Sequence, residues 1–451
     1  MFDQILSRRR FLAGALGIGA TVLVAACAPA QPAAQPEAKP QEEAKPAPKK
    51  AQEIHFLCRP DIKPAYAADK AVQTWNENFE SQVILDEPPQ GAPVDVKIQA
   101  AQAAGDLVWD GYWVMVMPHD AISWTSRKII QPFDPFMEAT TIPNADKILP
   151  AIIPSIRESC TYEGKIVGMP GNVGSIGLAW AWEPLRAIGL DDQPYTWDGV
   201  YEAAKEIKKA KPELVPFGSA CTPLCDLWAM IWSAQKNPFD ENGLYDIRGE
   251  ASINALKWLR KMVEEGLMYA EGVNTGLSQW LKGGWAMIIC YDVAGTMAQK
   301  TFGVDKYETG INYFPDYPET NAGSPFWINS GVLLNKAKNP QGFTDFCCWW
   351  FGPDNDETGR QITEVAAKPC YTYTYEKFVK DNPLYAWEQK AIDLCAKSVP
   401  FPHNTTHGIQ GNMARPHVEK YIDLNVPFEP EVWMDEAYKD IQDEIAKQKS
   451  G

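Results

Sequence analysis

The chain of 451 residues is 45% hydrophobic and 22% charged, and it carries a formal charge of −16. That length supplies enough apolar surface for two or three buried cores, while the acidic balance argues against nucleic acid, anionic lipid and phosphate-rich ligands. His55, His119, His403, His407 and His417 show neither His-x-His nor His-Glu-x-x-His spacing, which disfavours a histidine metal centre, and no cofactor is called for.

Ser7-Arg8-Arg9-Arg10-Phe11-Leu12 leads into an uncharged run over 11–26 that closes on Leu23-Val24-Ala25-Ala26-Cys27. A basic start, a short apolar core and small residues before the cut site make residues 1–26 a signal peptide. The run is rich in Ala and Gly and shorter than the roughly 20 strongly apolar residues that span a bilayer. Its two ends resemble a twin-arginine signal, with Ala13 where Lys is frequent, and the lipobox of bacterial lipoproteins, with Cys27 as the lipid-bearing residue. From 28 to 50 only Ala, Pro, Gln, Glu and Lys occur. Such a stretch buries too little apolar surface to order itself, so 27–53 reads as a tether. The expectation is an exported protein, anchored by lipid to the outer face of the cell membrane without crossing it.

The folded body starts near Ile54. Residues 54–58 form a short apolar strand, 66–79 place Ala67, Val72, Trp75 and Phe79 at helical spacing, and Val94-Asp95-Val96-Lys97-Ile98 alternates as a half-buried strand does. Asp106-Leu107-Val108-Trp109-Asp110 reads as a further strand. Strands alternating with helices predict parallel α/β topology, in which ligands sit beyond the carboxyl ends of the strands. A turn at Glu163-Gly164 separates two β-prone pieces, Pro184 starts a helix that Gly189 stops, and Thr196-Trp197-Asp198 caps the next. Besides Cys27 there are Cys58, Cys160, Cys221, Cys225, Cys290, Cys347, Cys348, Cys370 and Cys395. This odd number leaves at least one thiol free or paired between chains, with connectivity open. Adjacent Cys347 and Cys348 read as core residues on a helix.

Several segments in order resemble the extracellular solute-binding proteins of ABC importers, the family that includes the maltose-binding proteins. Cys160 to Pro170 resembles its Tyr-x-Gly-Lys-x-Tyr-Gly-x-Pro hairpin, and Pro194 to Val200 its Pro-x-Thr-Trp-Asp-x-Leu. Gly105 to Trp109, Ile130-Gln131-Pro132-Phe133-Asp134, Leu281 to Met287 and Asn339-Pro340 follow at the matching places. Trp180-Ala181 stands where Tyr-Asn is usual, and Tyr291-Asp292 where Gly-Trp is common. The resemblance implies a two-lobed α/β periplasmic-binding-protein fold with a ligand cleft between lobes that close about a hinge. On that template lobe 1 takes 54–170 and 307–336, and lobe 2 takes 171–306 and 337–451. It further implies a non-enzymatic monomer that binds a small polar solute, most readily a mono- or oligosaccharide, and delivers it to an ABC permease. A polyol, amine or peptide ligand stays open, and an exported lipoprotein glycosidase is the alternative of another class.

A sugar site needs flat apolar platforms and fixed polar groups. The platforms expected in the cleft are Tyr112, Trp113, Trp228, Tyr291 and Trp327. The polar partners expected with them are Arg59, Asp61, Asp110, Asn172, Asp226, Asp292, Asn329 and His407, the last in a polar loop over 401–415.

Overall fold

The computed structural model describes residues 52–58, 67–87, 94–117, 119–194, 196–219, 222–270, 273–291, 297–298, 301–303, 306–310, 322–364, 368–382, 398–401 and 406–450. The signal segment, Cys27, residues 28–51 of the tether, Arg59, Asp61 and Asp292 lie outside them. In chain order the strands are β1 (Glu53–Cys58), β2 (Gln82–Asp86), β3 (Gly111–Met117), β4 (Ile130–Gln131), β5 (Thr161–Tyr162), β6 (Lys165–Ile166), β7 (Met169–Ala181), β8 (Val215–Ser219), β9 (Met268–Ala270), β10 (Trp285–Tyr291), β11 (Tyr307–Gly310), β12 (Phe326–Leu334) and β13 (Lys368–Pro369). β5 and β6 make the expected hairpin, its turn reversing at Glu163 and Gly164, both with positive φ. The main sheet runs β2-β1-β3-β12-β7-β10-β8-β9. β1 is parallel to β2 and β3, and β8 is parallel to β9 and β10. Between these parallel groups β7 and β12 run antiparallel to their neighbours.

Two large apolar cores flank this middle, and a smaller cluster gathers Trp280, Trp285 and Ile288. One large core gathers Phe56, Trp75, Trp113, Val332, Phe343 and Trp350; the other gathers Leu178, Phe217, Trp232, Leu256, Tyr421 and Met434. Helix Trp197–Ala210 shows how sequence builds the second. Thr196 Oγ1 accepts from the Gly199 amide at 2.9 Å, while Val200, Ala204 and Ile207 share its buried face.

Three expectations are corrected. Residues 94–98 belong to a helix, Val94–Ala104, because the run Gln-Ala-Ala-Gln-Ala-Ala after Ile98 favours helix and puts Ile98 and Gln102, four apart, on the buried side. Residues 106–110 are not a strand; β3 starts at Gly111, where the Phe343 ring leaves no room for a side chain. The polar stretch at 407 is the helix His407–Val418, which buries Gln410, Ala414 and Val418 at four-residue steps despite Pro416. The side chain of Gln410 accepts from the Tyr245 amide at 2.6 Å, a tertiary tie that local propensity does not reveal.

β11 pairs with residues 178–181 of β7, beside the second core. Helix Pro340–Trp350 packs in the first core, where Phe56 meets Phe343 and Trp350, each at 5.6 Å. The helices His407–Val418 and Pro430–Ser450 contribute to the second core. None of the described helices is long and apolar enough to cross a membrane.

Candidate functional site

β7 is buried along its whole length and carries no charge. Its residues up to Ser175 pair with β12, and from Ile176 onward they pair with β10. One strand thus belongs to both halves of the sheet, and the change-over falls at the Ser175–Ile176 peptide.

The register at this crossing determines which side chains meet. Asn329 of β12 lies opposite Asn172 of β7, and Trp327 lies opposite Gly174. Directly opposed residues project from the same face of a sheet, as do residues two apart on a strand. Asn172, Trp327 and Asn329 therefore share one face. Asn329 Nδ2 donates to Asn172 Oδ1 at 3.0 Å. Gly174 is required beneath the indole, because a Cβ there would lie 2.4 Å from the Trp327 ring. Trp327 and Asn329 are half-buried, whereas Asn172 is nearly covered. An indole and two amides on one face provide an apolar platform beside both donors and acceptors.

Two further polar groups complete the crossing. Lys368 of β13, whose backbone pairs with Val173, is fully buried and donates from Nζ to Ser175 Oγ at 2.8 Å. Ser324 Oγ donates to the Ile176 carbonyl at 2.5 Å. In the sequence Lys368 stands out as a lone lysine in the otherwise uncharged run Val365 to Cys370. Nearby, Cys160 Sγ lies 3.6 Å from Ser330 Oγ, and burial pushes the Cys160 thiol up to about 12.

The other candidates are placed differently. Tyr291 ends β10 opposite Ile176, so its backbone adjoins the crossing. His407 opens a helix that approaches helix His119–Ser126 to within 8 Å between Cα atoms. Trp113 is fully buried, stacked on Phe351 at 5.0 Å, and its ring lies against Gly331. Tyr112 is buried against Trp124 at 5.7 Å, and Trp228 against Tyr245 and Phe401 at 5.1 and 5.3 Å. Their strands and helix turn these three rings inward. Asp110 is also internal: its carboxylate accepts from the His55 amide at 2.9 Å and the Asn339 amide at 2.7 Å, tying β1 to the start of helix Pro340–Trp350. Asp226 is wholly buried, accepting from Ser219 Oγ at 2.9 Å and Tyr421 Oη at 3.4 Å; burial pushes its carboxyl up to about 8. Among the described residues no group of three or more His, Cys, Asp or Glu is placed to hold a metal ion.

Solved structures share this architecture. The ABC substrate-binding protein Lmo0181 from Listeria monocytogenes, in complex with cycloalternan, superposes with a TM-score of 0.71 at 15% identity, covering 88% of this chain and 99% of that one. Maltose-bound MalE3 of T. maritima gives 0.70 at 15% identity, with 87% and 99% covered. The GacH receptor of Streptomyces glaucescens, studied unliganded and with acarbose, gives 0.69 at 18% identity, with 88% and 98% covered. These neighbours are two-lobed binding proteins, and the mixed α/β body described above is of that kind. The family model described as bacterial extracellular solute-binding protein matches residues 70–384. With most of the body inside that match, the chain belongs to the bacterial extracellular solute-binding protein family.

Proposed function

We propose that this protein is a lipid-anchored receptor that takes a mono- or oligosaccharide between its lobes and delivers it to the permease of an ABC importer. The observation that carries the reading is the shared face of Asn172, Trp327 and Asn329 where β7 and β12 cross. An indole offers its face to the C–H side of a sugar ring, and the amides serve hydroxyls as donor and acceptor at once. The solved neighbours hold cycloalternan, maltose and acarbose, which supports a saccharide ligand here. Tyr291, Asp292, Arg59, Asp61 and His407 are further candidates for contact with the solute. The lipid on Cys27 and the tether over 27–53 would keep the body near its permease as a monomer.

Calorimetric titration of residues 51–451 with saccharides, polyols, amines and peptides tests this. Saturable binding of a saccharide is expected, weakened in Trp327→Ala. Tight binding of an amine with no response to any sugar would overturn the carbohydrate assignment.

A further inference from the structure

We infer that Lys368 is a positioning residue that sets the hinge between the two halves of the body. Its backbone is held in register on the first-core side of β7, opposite Val173, while its side chain reaches along the strand to Ser175 Oγ at 2.8 Å. Ser175 is the last β7 residue paired with β12, and Ile176 is the first paired with β10. Any rotation of one half against the other must be absorbed by backbone dihedrals at this change-over and in the matching stretch before β12. That second stretch is braced as well, by the hydrogen bond from Ser324 Oγ to the Ile176 carbonyl at 2.5 Å. The lysine thus fixes the strand at the point about which the halves must turn.

Lys368 is wholly buried. A wholly buried ammonium is costly to desolvate, and an apolar side chain of similar length in such a place is frequently as stabilising or more so. Packing alone would be served by methionine. A hydrogen bond whose acceptor sits at the change-over selects instead which relative orientation of the halves the resting protein holds.

This inference rests on the reading of the body as a receptor that closes on its solute, and its main test needs no solute. Exposed Val96 and Val432, on the first-core and second-core sides, are replaced by cysteine and spin-labelled for dipolar distance measurement. The full mature chain is compared with its Lys368→Met, Lys368→Arg and Ser175→Ala variants, in buffer and with maltose as probe. Expected is a changed unliganded distance distribution in Lys368→Met and in Ser175→Ala, in the same direction, with no added change when the two are combined. Lys368→Arg should restore the native distribution. That pattern supports the inference whether or not maltose shifts any distribution; a maltose shift bears only on the carbohydrate reading. Unchanged unliganded distributions in Ser175→Ala would overturn it, as would a Lys368→Met effect that Ser175→Ala does not share.

Discussion

Replacing Asp226 by asparagine should remove most of a pH dependence that the fold carries. The carboxyl is buried between Ser219 at the end of β8, its own helix Pro223–Ala234, and Tyr421. Burial raises it from the ordinary 3.8 to about 8, against the opposing pull of the Ser219 and Tyr421 hydrogen bonds. In the unfolded chain the group ionises near its ordinary value, so between about pH 4 and pH 8 the folded state holds a proton that the unfolded state has lost. Stability from this group is therefore complete below the unfolded value and falls as pH rises toward the folded one. The slope is about 1.4 kcal/mol per pH unit, or roughly 4 kcal/mol between the ordinary value and neutral pH. Asparagine keeps the size of the side chain and never ionises. Denaturant unfolding of residues 51–451 at intervals from about pH 5 to pH 7.5 should show Asp226→Asn gaining on the native protein steadily with pH. Solute affinity should be unchanged, because the group is sealed from the cleft. Parallel stability curves for the two proteins across this range would refute the reasoning.

Gly174→Ala puts a Cβ where the Trp327 ring now lies; it should displace the indole and cut saccharide affinity about tenfold or more while far-ultraviolet circular dichroism stays native. Trp113→Ala and Trp327→Ala should separate packing from binding. The first empties a fully buried site and should cost about 3–5 kcal/mol in denaturant unfolding. The second should cost less stability and more affinity, and the reverse order would remove Trp327 from the proposed site. Cys27→Ser should release the protein from the membrane and impair uptake by cells, with calorimetry giving the native affinity; lost affinity in the released protein would contradict the separation of anchor from receptor.

How much could be read beforehand depended on how local the deciding interaction was. The hairpin at Glu163-Gly164 and the Thr196 cap are set within a few residues of chain, and both are present as the sequence indicates. Residues 94–98 misled because five alternating positions also fit a helix once the alanine-rich continuation is included. The polar stretch at 407–418 misled for the opposite reason, since its helix is stabilised by distant partners such as Tyr245. Helix Pro340–Trp350 is seated by side-chain complementarity with Phe56, which no linear pattern records.

The candidate site shows the same limit in sharper form. Seventeen tryptophans make the supply of possible sugar platforms large, and position after a strand did not separate them. Nor does a glycine opposite an aromatic ring: Gly331 faces Trp113, Gly218 faces Trp285, Gly111 faces Phe343 and Gly174 faces Trp327, all closer than a Cβ would allow. In a strand such glycines mark close approach of a ring to the sheet, which is how this protein seats buried aromatics. What sets Trp327 apart is the rest of its face. Trp113, Trp285 and Phe343 are covered on every side, whereas Trp327 stays half-buried beside two amides, at the place where one strand leaves the first half of the sheet for the second. A ring seated on glycine becomes a binding platform only where the packing around it stops, and the crossing of β7 and β12 is where the two cores part.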